Sequence, residues 1–284
     1  MKKLLSLFTL TAAMAATAQA GTLVQWGTVA VDGFTPNSTD IVTGANNFST
    51  PSINFTSGTV SNDPVSVLPD TDYYPNNTDR SPIFNATASK KLTSGTYEAV
   101  NTSQIQDNAV GDRIRFVALD TGSDSDVDEL VTMVVWENFL TPSAGQALDT
   151  MSMAGFRTNN GDTELRMVFQ AANDSWYASD DLDWTGGANQ LNEIADVSAA
   201  SWFDFTPMAS DSGVATIGGS AVLGIDFTGV QAVGYYSHSV ADTSATSLAT
   251  QTGYFQATAV PEPSAFALIA GSLTLGFVTV RRRK

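Results

Sequence analysis

The densest run of carboxylates in the 284-residue chain is DTGSDSDVDEL. Asp120, Asp124, Asp126 and Asp128, followed by Glu129, put acidic side chains at nearly alternate positions between two apolar segments. Calcium takes about 6–8 oxygen ligands, and a D-x-D-x-D run can wrap several of them around one ion. The run departs from the EF-hand pattern, because Glu129 stands where the turn glycine belongs and Val135 occupies the twelfth position. Two readings therefore stand side by side: a Ca²⁺ loop, or an exposed acidic hairpin loop.

A second cluster, SWYASDDLDWTGG, combines Trp176, Tyr177 and Trp184 with Asp180, Asp181 and Asp183. A sugar ring offers an apolar C–H face and a rim of hydroxyls, so its site needs an exposed aromatic plane beside carboxylates. Trp184, flanked by Asp181 and Asp183 and by Gly186-Gly187, is the candidate platform for polysaccharide. The competing reading makes it a lid on the core. Trp176, Tyr177 and Trp202 are expected to fill the interior.

Other chemistry is poorly provided for. There is no cysteine, which removes thiol nucleophiles, disulfides and Cys-ligated metals, and the single His238 precludes a two-histidine metal site. A Ser-His-Asp triad would have to use His238 in YYSHSVADT, with no G-x-S-x-G elbow in the chain. That histidine is expected at the surface near a strand end. Glycoside hydrolysis needs two carboxylates about 5–10 Å apart. Glu137 and Glu164 are the tempting acids, but neither sits in a paired motif. GVATIGGSAVLG is small and apolar and lacks the lysine of a phosphate loop. Catalysis is not expected, with a polysaccharide-degrading hydrolase or lyase as the outlying alternative.

The elements that must position these residues are strands. TELRMVFQA alternates Leu165, Met167 and Phe169 with Glu164, Arg166 and Gln170, as a half-buried strand does. DRIRFVAL repeats the alternation, and LVTMVVWENFL, from Leu130 to Leu140, is apolar on both faces like a central strand. Further strands are predicted at Leu23–Val31, Thr150–Arg157, Trp202–Thr206, Val222–Phe227, Val230–Tyr236 and Gly253–Ala259. No amphipathic helix longer than two turns precedes the C-terminal span. The expected fold is all-β: one β-sandwich over residues 21–260, jelly-roll-like, with Asn-, Thr-, Ser- and Pro-rich residues 33–110 as long loops and edge strands or as a loosely ordered N-terminal subdomain.

The two ends read as addresses. MKKLLSLFTLTAAMAATAQA joins two lysines to a short apolar run and closes on Ala18-Gln19-Ala20. Residues 1–20 are therefore expected to be a signal peptide, cut by signal peptidase after Ala20. At the other end, residues 261–284 begin Pro261-Glu262-Pro263, a stiff, helix-breaking entry because both prolines fix φ and lack the donor N–H. Ser264 to Val280 carries no charge. As a helix it would reach roughly 25 Å, slightly short of a ~30 Å hydrocarbon core that flanking arginines can help it span by snorkelling. Arg281, Arg282 and Arg283, with Lys284, supply a positive-inside anchor, so a single C-terminal transmembrane helix is predicted.

Lys and Arg number 13 against 29 Asp and Glu. Six of the basic residues lie in the two terminal segments, which leaves Gly21 to Val260 with 7 basic and 28 acidic side chains. Such a surface repels polyanions and argues against nucleic acid as a partner.

The order Pro-Glu-Pro-Ser, a Gly-containing apolar span and a terminal Arg cluster resembles the PEP-CTERM sorting signal of Gram-negative bacteria. Glu262, Gly271, Gly276 and Arg281 to Arg283 occupy the matching places. The resemblance covers about 25 residues. It implies export across the inner membrane, removal of the tail by an exosortase, and delivery to the cell envelope, the surface or the secreted matrix. It implies nothing about the body. The expected role is structural or adhesive, with a carbohydrate-binding module as the alternative.

Overall fold

The computed structural model describes residues 21–26, 84–93, 95, 97–100, 102–106, 113–119, 126–137, 145–158, 162–184, 190–208, 213–245 and 247–261. Residues 1–20, expected to be a signal peptide, most of the Asn- and Thr-rich stretch, Asp120, Asp124, Glu262, Pro263 and the apolar tail with its arginines lie outside them. Every regular element among the described residues is a strand. They are β1 (Gly21–Trp26), β2 (Phe84–Leu92), β3 (Tyr97–Ala99), β4 (Thr102–Gln106), β5 (Arg113–Leu119), β6 (Val127–Trp136) and β7 (Gln146–Thr158). There follow β8 (Thr163–Gln170), β9 (Trp176–Ser179), β10 (Gln190–Ile194), β11 (Trp202–Thr206), β12 (Thr216–Ala221), β13 (Ala232–Ala245) and β14 (Ser247–Pro261).

Two antiparallel sheets result. The smaller has the order β10-β7-β14-β5-β4, and β1 also pairs with β14. The larger runs β12-β11-β9-β8-β13-β6-β2-β3. Their facing sides share one core. From the larger sheet come Leu130, Val134, Trp136, Leu165, Met167, Phe169 and Tyr235, and from the smaller Phe116, Met151, Met153, Leu248 and Phe255. Trp136 stacks on Phe255 across the gap with ring centroids 4.4 Å apart, and Thr252 Oγ1 donates to the Tyr235 hydroxyl at 2.7 Å. Even the inward Lys90 bridges the sheets, donating to the Leu119 carbonyl at 2.9 Å.

The alternating segments behave as their patterns require. In β8, Leu165, Met167 and Phe169 are fully buried in the shared core while Glu164 and Arg166 face outward. Strand β6 is buried on both faces, as its unbroken apolar run predicts. Val127, Leu130, Val134 and Trp136 enter the shared core. Val131, Met133 and Val135 form a second cluster on the outer face with Phe205, Met208 and Tyr236.

β14 keeps one face inward across a change of phase. Leu248 and Thr252 point to the core in its first half, and Phe255, Ala257 and Ala259 in its second. The register with β7 slips between Thr252 and Tyr254, so Gly253 is an extra residue that switches the inward parity from even to odd. A similar slip at Leu23 in β1 puts both Leu23 and Val24 inside.

Three predicted strands need correction. Val222–Phe227 is not a strand; the strand is the preceding Thr216–Ala221, because Ile217 has the second cluster to pack on and Leu223 has nothing. Gly253–Ala259 is part of the 15-residue β14, and Val230–Tyr236 gives way to the 14-residue β13, which begins only at Ala232.

Candidate functional site

The outer face of the larger sheet carries the ionisable cluster with the most internal bonds among the described residues. Lys91 of β2 and Glu129 of β6 are directly opposed in register, and Tyr97 of β3 is opposed to Lys91. His238 of β13 is offset by two residues from Val240, the other neighbour of Glu129, and so reaches it diagonally. The Glu129 carboxylate accepts from Lys91 Nζ at 2.6 Å on Oε1, and on Oε2 from the Tyr97 hydroxyl. His238 Nε2 lies 2.7 Å from the same Oε2. Lys91 Nζ also stands 5.7 Å from the centre of the Tyr97 ring.

Only 14 % of the Glu129 side chain is exposed. Burial by itself would raise its carboxyl, but the bonds from Lys91, Tyr97 and His238 prevail and hold it down at about 2. The same carboxylate raises Lys91, and burial followed by Glu129 pushes the Tyr97 phenol up. Segment 213–217 covers this cluster. Gly213 has φ +67°, its carbonyl accepts from Ser89 Oγ at 2.9 Å, and a Cβ there would fall 2.1 Å from Tyr97 Cγ. Farther along the face Arg166 pairs with Glu164, donates to the Ser179 carbonyl at 2.6 Å and lies over the Phe203 ring.

Chemically, Glu129 and His238 have the geometry of an acid that orients an imidazole. The hydroxyls adjacent to His238 in sequence turn away, however. Ser237 bonds Thr132 and Ser239 accepts from Thr163 on the opposite face, both buried. The arrangement thus links β2, β3, β6 and β13 through one carboxylate. His238 is not at a strand end, as expected from sequence, but within β13 and bound to Glu129.

Glu129 also leaves the proposed calcium set. Its oxygens are taken by Lys91, Tyr97 and His238, while Asp128, the extra residue where the β2–β6 register slips, has its Oδ1 accepting from Thr93 Oγ1 at 2.8 Å. Asp126 precedes the strand and holds Thr93 through its carbonyl. Asp120 and Asp124 are outside the described residues, among which no group of three His, Asp or Glu side chains is arranged to hold a metal.

The aromatic platform is corrected likewise. Trp184 is 1 % exposed and belongs to the shared core, with its carbonyl accepting from Arg157 Nε at 2.6 Å. Asp183 takes a left-handed conformation (φ 58°) that turns the chain inward, and the Trp184 ring lies against the backbone of Gly155. Asp181 is exposed, but its Oδ1 accepts from the Leu165 and Asp183 amides at 3.0 and 3.2 Å, a turn-closing role. Of the other aromatics, Trp202 is buried, while Tyr177 and Trp176 are half-buried.

Glu137 and Glu164 do not form a hydrolase pair. Trp136 pairs with Val233 and His238 with Glu164, which sets the two acids roughly 20 Å apart along the strands. Sequence reading overlooked Lys91 and Tyr97. The available signal was that Lys90 and Lys91 are the only lysines between the terminal segments. No known family model matches the chain, and no curated protein is significantly similar to it.

Proposed function

We propose that the protein is an exported, exosortase-sorted component of the cell surface or extracellular matrix with a structural or adhesive role. One observation carries this reading: β14, bonded to β7 on one side and to β5 and β1 on the other, ends at Pro261, where the Pro-Glu-Pro tail begins. A tail continuous with a central strand transmits tension into a ladder of backbone hydrogen bonds. Gly21, the first residue after the expected cleavage, pairs with Ala259, so both addresses leave the domain side by side. The chain passes repeatedly from one sheet to the other, which supports the jelly-roll-like variant of the sandwich.

Polysaccharide contact remains part of this reading through the acidic outer loops, without Trp184 as platform. Calcium enters it only through Asp120, Asp124, Asp126 and Asp128. The test is fractionation of a Gram-negative host that makes an exosortase, using a chain tagged after Lys284. The tag should be lost and the body found in the envelope or matrix, and Glu262→Ala should retain the tag. Retention of the tag by the unaltered chain would refute sorting. Native-gel retardation through embedded polysaccharides then separates adhesion to sugar from adhesion to protein.

A further inference from the structure

The last rungs of β14 leave no slack before the tail. Thr258 and Ala259 are paired on both sides, with Thr150 and Leu148 of β7 and with Thr22 and Gly21 of β1. Among the described strands, Val260 and Pro261 pair only with Ala147 and Gln146 of β7. β7 is itself fixed there, because the Leu148 amide donates to the Phe227 carbonyl at 2.9 Å and the Gly229 amide to the Gln146 carbonyl at 3.2 Å. Inward, Ala257 and Ala259 are buried in the shared core. On the outer face, Thr150 Oγ1 and Thr258 Oγ1 are hydrogen-bonded at 2.7 Å. Pro261 is thus at once the last residue of the ladder and the first of Pro-Glu-Pro.

We propose that this end of β14 is a latch on the sorting tail, closed when the ladder is zipped to Pro261 and open when the rungs from Thr258 onward part. The inference rests on the sorting reading and adds a regulation to it. An enzyme that cuts a peptide beside Pro261 takes the preceding residues as an extended strand, through their backbone N–H and C=O groups. In the folded body Thr258 and Ala259 are already paired with β1 and β7. The folded end also brings the bulk of the sandwich against the cut, with no linker to hold it off. Opening is possible because the latch sits at a strand end, where rungs part at far lower free energy than in the core. Pro261, moreover, has no N–H to give to the ladder. The tail is therefore cut before the ladder closes or during its brief openings, and a body that stays zipped stays anchored.

The test is a pulse-chase of the full chain, tagged after Lys284, in the exosortase-bearing host. Thr150→Cys with Thr258→Cys places two thiols where the Oγ1 atoms now meet, and the chain has no other cysteine, so an oxidising periplasm bridges this rung. The bridged chain should lose its tag at least about tenfold more slowly than the unaltered one, and a reductant should restore the rate. Neither single substitution should slow it. A Gly-Ser-Gly-Ser insert between Val260 and Pro261 moves the cut clear of the ladder. It should speed removal in the otherwise unaltered chain and abolish the effect of the bridge. Removal from the bridged chain at the unaltered rate would overturn the latch, as would an insert that leaves the rate unchanged. Retention of the tag by every version, the insert included, would instead refute the sorting reading on which the latch rests.

Discussion

Glu129 shows how far one residue's role depends on its neighbours. In sequence it closes an acidic run, and in the fold it receives Lys91, Tyr97 and His238 from three other strands. Its carboxyl, ordinarily near 4.5, is held at about 2 in the folded protein. A depressed carboxylate contributes stability that is complete above its unfolded value and lost as pH falls through the folded one. The protein should therefore lose up to about 3 kcal/mol from this group between pH ~4.5 and ~2. Urea unfolding of the unaltered chain and of Glu129→Gln at neutral and acidic pH checks this. The variant should be the less stable at pH 7, and the gap should close on acidification. A gap independent of pH would remove the account.

At the scale of elements, β14 carries a device that alternation alone does not reveal. Its inward positions change parity at Gly253, so a reader following a strict period of two assigns only half the strand. Deleting Gly253 should turn Phe255, Ala257 and Ala259 to the outer side and break the stack on Trp136. Loss of the near-ultraviolet tryptophan signal, with insoluble expression, is the expected outcome. A soluble deletion variant with an intact signal would show that the register can slip back. The elements read well from sequence are β8, which has one face in the shared core and no slip in its pairing, and β11, whose Trp202 enters that core while Phe205 packs on the outer cluster. Val222–Phe227 differs from expectation because short apolar runs look alike whether or not they join a ladder: Ile225 and Phe227 pack on the shared core without strand pairing, while Leu223 is exposed.

For the whole molecule, a formal charge of −16 sets the response to salt. Screening relieves long-range repulsion among exposed acids more than it weakens the half-buried Glu129 cluster. The melting temperature should rise by a few degrees from low salt to about 1 M sodium chloride, as followed by circular dichroism. A fall would mean that attractive pairs dominate. Composition and local order determined the strand-rich class, the absence of thiol chemistry and the candidate addresses at both ends, because these depend on residue type and near neighbours. The tertiary structure alone decided that Trp184 is core, that Glu129 binds three strands and that β12 ends the larger sheet among the described residues. The reason is physical: burial and charge pairing are set by residues far apart in the chain, such as Glu129 and His238, which only the register of paired strands brings together.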